Sequence, residues 1–266
     1  MPKIKINDIN LYYQTHGHGE PIVFVAGFSG DHTIWQNIVP VYAKKYQVIV
    51  FDNRGIGMTD CPNYPYTTEM MADDAAGLIK ALQLKPVHLI GASFGGCIAQ
   101  NVAYKYPDLI KSVVIANSFV KASMRGSLYA TTRLAMIKAG VPEKIIMQFI
   151  TALCWSNKYL SKPGMLEQLT SGGFFPITLQ GYESQMNAML TFDSHEWLAQ
   201  IKAPSLVIAS DDDVLADLEQ AKEIAAAIPN TEYYCFKDAG HVPQIEQPEL
   251  FNEIVLAFLD KQQTQI

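Results

Sequence analysis

Ser93 sits in "HLIGASFGGCIAQ" (residues 88–100), between Gly91 and Gly95, with Gly96 next. A serine hydroxyl is a weak nucleophile. It becomes a useful one when a base takes its proton and an acid orients that base. The chain has six histidines. One of them, His241, lies in "KDAGHVPQIEQPE", between the last β-rich run and the last helical pattern. Three consecutive aspartates, Asp211, Asp212 and Asp213, follow another apolar run in "SLVIASDDDVLAD". A serine, an acid and a histidine in that order could carry out two-step acyl transfer. The spacing leaves all three aspartates open as the acid.

Such groups must be brought together by the elements that carry them. Short β-rich runs recur at 9–16, 21–27, 46–52, 87–92, 112–117, 205–210 and 232–236. Most are continuously apolar rather than alternating, which suits parallel strands covered on both faces. Helical patterns lie between them at 67–84 (with Thr68 as its cap), 95–107, 215–229 and 247–262. Alternation of strand and helix predicts βαβ units, and the helix-poor opening predicts an antiparallel start. Residues 119–193 show no clear β run. There "LYATTRLAMIKAGV", "PEKIIMQFITALCW" and "PGMLEQLTSGGFF" read as helices, an insertion between two strands. Ser93 ends an apolar strand where a helix begins at once. A turn that tight points the hydroxyl outward and excludes a Cβ at Gly91 and Gly95. The helix N-terminus also favours negative charge there. His241 and the aspartates fall on the same carboxyl edge of the sheet, where βα loops carry ligands.

"VFVAGFSGD", "FDNRGIGMTD", "GASFGG", "LVIASDDDVLAD" and "DAGHVPQIEQPELF" together resemble the α/β-hydrolases over nearly the whole length. The resemblance implies an α/β fold with a mostly parallel eight-stranded sheet flanked by helices. It implies a core from residues 1–118 and 194–266 and a helical cap from 119–193. Within the family the chain is most similar to small carboxylesterases, including pimeloyl-carrier-protein methyl ester esterases, and to enol-lactone hydrolases. It also resembles the meta-cleavage-product C–C hydrolases. The family pattern sets the acid three residues after a small residue. Ser210 takes that place, usually a glycine, so the acid falls on Asp213, with Asp211 and Asp212 as alternatives. The resemblance implies a catalytic set of Ser93, Asp213 and His241. It implies an oxyanion hole from the backbone N–H groups of Phe28 and Phe94, worth about 3–4 kcal/mol per donor. Many relatives carry His-Gly where this chain has Ala26–Gly27. Asp52 and Arg54, in "DNRGIG", correspond to a bracing turn.

The implied function is a serine hydrolase that cleaves a carboxylic ester or lactone of a small to medium acyl substrate. It needs no metal and no organic cofactor. A serine at position 93 excludes the alkyl-aspartate chemistry of related dehalogenases and epoxide hydrolases. Two alternatives stand: a C–C hydrolase, whose relatives carry an arginine near the nucleophile turn that "GASFGGCIAQ" lacks, and a triad-containing ligand sensor.

Composition narrows the rest. With 49% hydrophobic and 17% charged residues the chain is globular. A net charge of −6 and no basic cluster argue against nucleic acid as partner. Cys61, Cys97, Cys154 and Cys235 have no metal-ligand spacing and read as free thiols. With no apolar leader and no membrane-length apolar run, the expected location is cytoplasmic. Cys97 reads as packing. His16 and His18 read as a hairpin turn, and His32 and His88 as packing or surface; His195, in "DSHEW", lacks the second histidine of a zinc-protease helix. Phe119, Met124, Trp155 and Met189 are candidates to line an acyl pocket.

Overall fold

The computed structural model describes residues 3–171 and 177–263. Eight strands form one sheet: β1 (Lys3–Ile6), β2 (Ile9–His16), β3 (Glu20–Val25), β4 (Tyr46–Phe51), β5 (Val87–Ala92), β6 (Ile110–Ala116), β7 (Ser205–Ser210) and β8 (Thr231–Phe236). Their order is β1-β2-β4-β3-β5-β6-β7-β8. The β1–β2 and β2–β4 pairs are antiparallel and all others parallel. This is the α/β-hydrolase fold that the sequence predicts. β1 escaped the sequence reading: it is a four-residue edge strand with Lys3 and Lys5 on its open face.

The central strands are apolar throughout because both faces are covered. Successive residues alternate between two cores. Val23 and Val25 of β3 join Leu89, Met71, Ile98 and Ile224 on one face. Ile22 and Phe24 join Ile90, Trp35, Tyr42, Phe251 and Phe258 on the other. The covering helices are α1 (Val39–Tyr42) and α11 (Pro248–Gln263) on the second face, and α2 (Thr68–Ala81), α3 (Phe94–Lys105) and α9 (Leu218–Ala227) on the first. α10 (Pro243–Glu246) is a single turn just before α11.

Local chemistry moves several boundaries. α2 is capped by Thr67, whose Oγ1 accepts the Met70 N–H at 3.2 Å, not by Thr68 as expected. Thr68 is buried and donates its hydroxyl to the Ala188 carbonyl instead. α9 starts at Leu218 rather than 215, because the N–H groups of Leu215 and Ala216 are taken by Asp213 and Asp217 caps the helix.

Between β6 and β7 the chain carries α4 (Met124–Lys138), α5 (Glu143–Cys154), α6 (Asn157–Leu160), α7 (Met165–Ser171) and α8 (Leu179–Thr191). The helix expected over 163–175 is described as α7. Its last four residues, 172–175, lie outside the described residues. α8 was not legible from periodicity because Ser184 and Gln185 are buried on its inner face beside Tyr182 and Ala188. Among the described residues no helix is long and apolar enough to cross a membrane. The four cysteines carry free thiols.

The strand order places the site. From β3 the chain passes to one neighbour, β4, while β5 lies on the other side. The connections therefore part above the carboxyl ends of β3 and β5, which leaves a crevice there.

Candidate active site

Ser93 occupies the turn between β5 and α3 with φ 54° and ψ −127°. That left-handed conformation is strained for a residue with a side chain. It is held by the Ser93 N–H, which donates to the Ala116 carbonyl at 2.8 Å. The hydroxyl makes no capping bond to the helix. The flanking glycines are a steric requirement. A Cβ on Gly91 would lie 2.2 Å from the Gly95 carbonyl oxygen, and one on Gly95 would lie 2.2 Å from that of Val25.

His241 follows β8 and turns its ring to the serine. Its Nε2 lies 2.7 Å from Ser93 Oγ, and its Nδ1 lies 2.8 Å from Asp213 Oδ2. Of the three aspartates only Asp213 reaches the histidine. Asp211 accepts the Asp238 N–H, and Asp212 accepts the Asn157 N–H. The Asp213 side chain is fully buried. Burial alone would raise its carboxyl. The facing His241, the Asn117 amide and the Ala216 N–H outweigh burial and hold it below the usual carboxylate range.

Asn117 was not singled out from sequence. It directly follows β6 in a left-handed conformation, φ 47°, and its Nδ2 donates to Asp213 Oδ2 at 2.9 Å and to Ser210 Oγ at 3.0 Å. Its only sequence signal is an asparagine at the carboxyl end of a strand, where it tolerates positive φ.

Phe28 lies on the loop after β3, and Phe94 is the first residue of α3. The Phe94 N–H has no preceding helical turn to donate to. The Phe28 loop passes so close to the turn that a Cβ on Gly27 would stand 3.1 Å from Ser93 Cβ. Behind it, Ser29 donates its N–H to Gln185 Oε1 at 3.1 Å and accepts Arg133 Nη1 on its hydroxyl at 2.6 Å. Gln185 also donates to the Arg54 carbonyl. Asp52 and Arg54 brace the neighbouring turns. Asp52 accepts the N–H groups of His32 and Met58, and Arg54 pairs with buried Asp74 at 2.6 Å.

A cavity of about 430 Å³ opens over Ser93 and His241. Helices of the β6–β7 segment wall it with Tyr129, Met147, Ile150 and Cys154, and Trp155 adjoins them. Phe119, Trp155 and Met189 line it as expected; Met124 does not, and is 77% exposed on the surface. Arg133, 4% exposed, also lines the cavity, with its guanidinium over the Tyr182 ring. Its only signal in the sequence is a lone arginine in an apolar helical run.

The remaining candidates are structural. Cys97 is buried on the inner face of α3, and burial pushes its thiol up to about 12. His88 packs against Ser112 Oγ at 2.7 Å. His16 ends β2 before a turn with positive φ at Gly17 and Gly19. Asp31, His32 and Asp52 have metal-compatible spacing. Their carboxylates already accept the N–H groups of Thr33, His32 and Met58.

The family model described as the alpha/beta hydrolase fold matches residues 20–248. The chain belongs to the α/β-hydrolase family. A Mycobacterium tuberculosis protein that carries the provisional name non-heme bromoperoxidase BpoC is 31% identical over 256 residues, covering 94% of this hydrolase-family chain and 97% of its own. The enol-lactonase of Burkholderia xenovorans LB400 superposes with a TM-score of 0.88 at 25% identity, over 97% of this chain and 100% of its own. A thermophilic esterase of Thermogutta terrifontis does so with a TM-score of 0.87 at 25% identity, over 99% and 100%. These likenesses support hydrolase activity in general.

Proposed function

We propose that the chain hydrolyses a carboxylic ester or lactone of a small to medium acyl substrate through an acyl-enzyme on Ser93. One observation carries the reading: the unbroken contact from Ser93 Oγ through the His241 ring to a buried Asp213 carboxylate, at 2.7 and 2.8 Å, on the wall of a cavity. His241 takes the hydroxyl proton as Ser93 attacks the carbonyl carbon. The N–H groups of Phe28 and Phe94 hold the oxyanion. The leaving oxygen collects the proton from His241, and water activated by the same ring then releases the acid. Asp213 fixes the ring tautomer and steadies its charged form. Residues 119–193 act as a cap that shapes the acyl site over the core formed by 1–118 and 194–266. The enol-lactonase and esterase likenesses favour this substrate class.

A second reading, C–C hydrolysis of an acidic diketone, keeps one specific observation in its favour. The arginine missing from the nucleophile turn has a counterpart in Arg133, which reaches the cavity from α4.

The test is a panel of p-nitrophenyl esters from acetyl to decanoyl, with an enol-lactone and a meta-cleavage diketone alongside. Multiple turnover of an ester or lactone is expected, together with a loss of about 10⁶ in kcat in Ser93→Ala. Fluorophosphonate should label Ser93. Unchanged turnover in Ser93→Ala, or a label on another residue, would remove the mechanism. Faster turnover of the diketone than of any ester would favour the second reading, and a single turnover per chain would favour a ligand sensor.

A further inference from the structure

His241 is held from behind by the helical segment between β6 and β7. The carbonyl of Cys154, the last residue of α5, accepts the His241 N–H at 2.8 Å. Two residues on, Ser156 meets a buried carboxylate from the other side of the same loop. Glu246 Oε1 accepts the Ser156 N–H at 3.1 Å and the Gly240 N–H at 2.9 Å, and Oε2 accepts the Ser156 hydroxyl. Glu246 is 6% exposed and Ser156 fully buried. The fit leaves no room for adjustment. A Cβ on Gly240 would lie 2.6 Å from Ser156 N, 2.8 Å from the Cys154 oxygen and 2.8 Å from Glu246 Oε1.

Glu246 belongs to none of the groups that face the cavity. Its three donors are shared between the α5–α6 elbow and the residue before His241. We propose that Glu246 is a positioning residue: it locks the elbow to the histidine loop and thereby sets the distance from His241 to Ser93. The inference rests on reading Ser93 and His241 as the reacting pair. It has a consequence for the acyl site. Cys154 and Trp155 line the cavity, so a substrate seated against them bears on the same elbow whose carbonyl holds the histidine. Glu246 itself does not line the cavity, so disturbing the lock should act through the histidine, on the chemical step more than on binding.

The experiment compares Glu246→Ala with Glu246→Gln in the full chain, well below the unfolding temperature. Glutamine keeps an oxygen for the two N–H groups and an amide that can donate to the Ser156 hydroxyl, so kcat should stay within about threefold. Alanine leaves three donors unmatched. It should lower kcat by about 10²-fold with KM changed less than about threefold, the cost of a small misplacement of a reacting group. Fluorophosphonate labelling of Ser93 should slow in step, and the downfield proton resonance of His241 Nδ1–H should be lost in Glu246→Ala and kept in Glu246→Gln. Should Glu246→Ala fail to fold, Ser156→Ala probes the same lock from the other side, with a loss of about tenfold expected. A folded Glu246→Ala with wild-type kcat and an intact resonance overturns the proposal, as does an equal loss in the glutamine variant. If the wild type neither turns over an ester nor labels at Ser93, the acyl-enzyme reading fails, and the resonance still decides the role of Glu246.

Discussion

His241 and His32 stand in different regions and make the same first contact. Each sets Nδ1 against an aspartate with no exposed side-chain surface, at 2.8 Å to Asp213 and 2.7 Å to Asp52. The rings themselves are nearly equally covered, 10% and 15% exposed. The difference lies at the other nitrogen. His241 Nε2 faces the Ser93 hydroxyl on the cavity wall, whereas His32 Nε2 meets the side-chain amide of Gln14 at 3.1 Å. Thr33 and Ile34 beside His32 line the cavity, but His32 does not. A buried histidine–aspartate pair is therefore not a site by itself. It becomes a candidate base where its free nitrogen meets a nucleophile that a substrate can reach.

The comparison is broken most directly by exchanging the two aspartates. Asp213→Asn should lower kcat by about 10⁴, because the amide permits the wrong imidazole tautomer. Asp52→Asn should leave kcat within about tenfold and act on stability, because an NH2 replaces one of the two oxygens that accept the His32 and Met58 N–H groups. Steady-state kinetics on the best ester of the panel measures the first. Urea unfolding measures the second. Equal kinetic losses would mean that both pairs serve the reaction.

Asn117 sharpens the contrast, since Asp213 has a side-chain donor dedicated to it. Asn117→Ala removes the amide at 2.9 Å and places alanine at positive φ. A loss of about 10- to 100-fold in kcat is expected from displacement of the acid. Asn117→Gly relieves the backbone strain but not the missing donor, so activity should remain low while stability recovers. Full recovery of activity in the glycine variant would assign Asn117 to backbone shape alone.

His32→Gln is the milder counterpart. It should cost about 1–3 kcal/mol of stability through the lost imidazole contact to the buried Asp52 carboxylate, which keeps its two backbone N–H donors, and change kcat less than about threefold. A large kinetic effect would show that the His32 region, which adjoins the Phe28 loop, reaches the reacting atoms after all.

How much of this was legible before the fold follows from distance along the chain. The turn at Ser93 is local: strand, serine, glycines and helix lie within a few residues, and the steric need for Gly91 and Gly95 can be argued without neighbours. The choice of Asp213 over Asp211 and Asp212 could not be made from their spacing, because three adjacent residues differ only in where the backbone points them. Asn117, Arg133 and Glu246 were illegible for a stronger reason. Each matters through a partner far away in sequence, Asp213, Ser29 and Ser156. Met124 failed the other way: an apolar residue in the β6–β7 segment need not face inward, and this one begins α4 on the surface.

A third pair completes the series and gives the smallest expected effect. His195 sets Nδ1 2.5 Å from Asp193 and Nε2 3.0 Å from Glu223, but all three side chains are more than 40% exposed. The hydrogen bond that its ring donates to Asp193, aided by Glu223, raises the histidine above its ordinary 6.5. Although slight burial opposes it, the bond to His195 holds Asp193 down at about 2. The signs follow from linkage. The raised histidine stabilises the fold fully below pH 6.5, and this is lost as pH rises through the folded value; the lowered aspartate stabilises above its ordinary 3.8, and this is lost as pH falls through about 2. His195→Gln should therefore lower Tm most between these two ordinary values and converge with the wild type at higher pH. The difference should not exceed about 1–2 °C, since water and salt screen exposed pairs. Differential scanning calorimetry across that range, with kcat unchanged throughout, is the expected result. A pH-independent difference would mean that His195 contributes packing rather than charge, and a kinetic effect would place it within reach of the site from which its exposure excludes it.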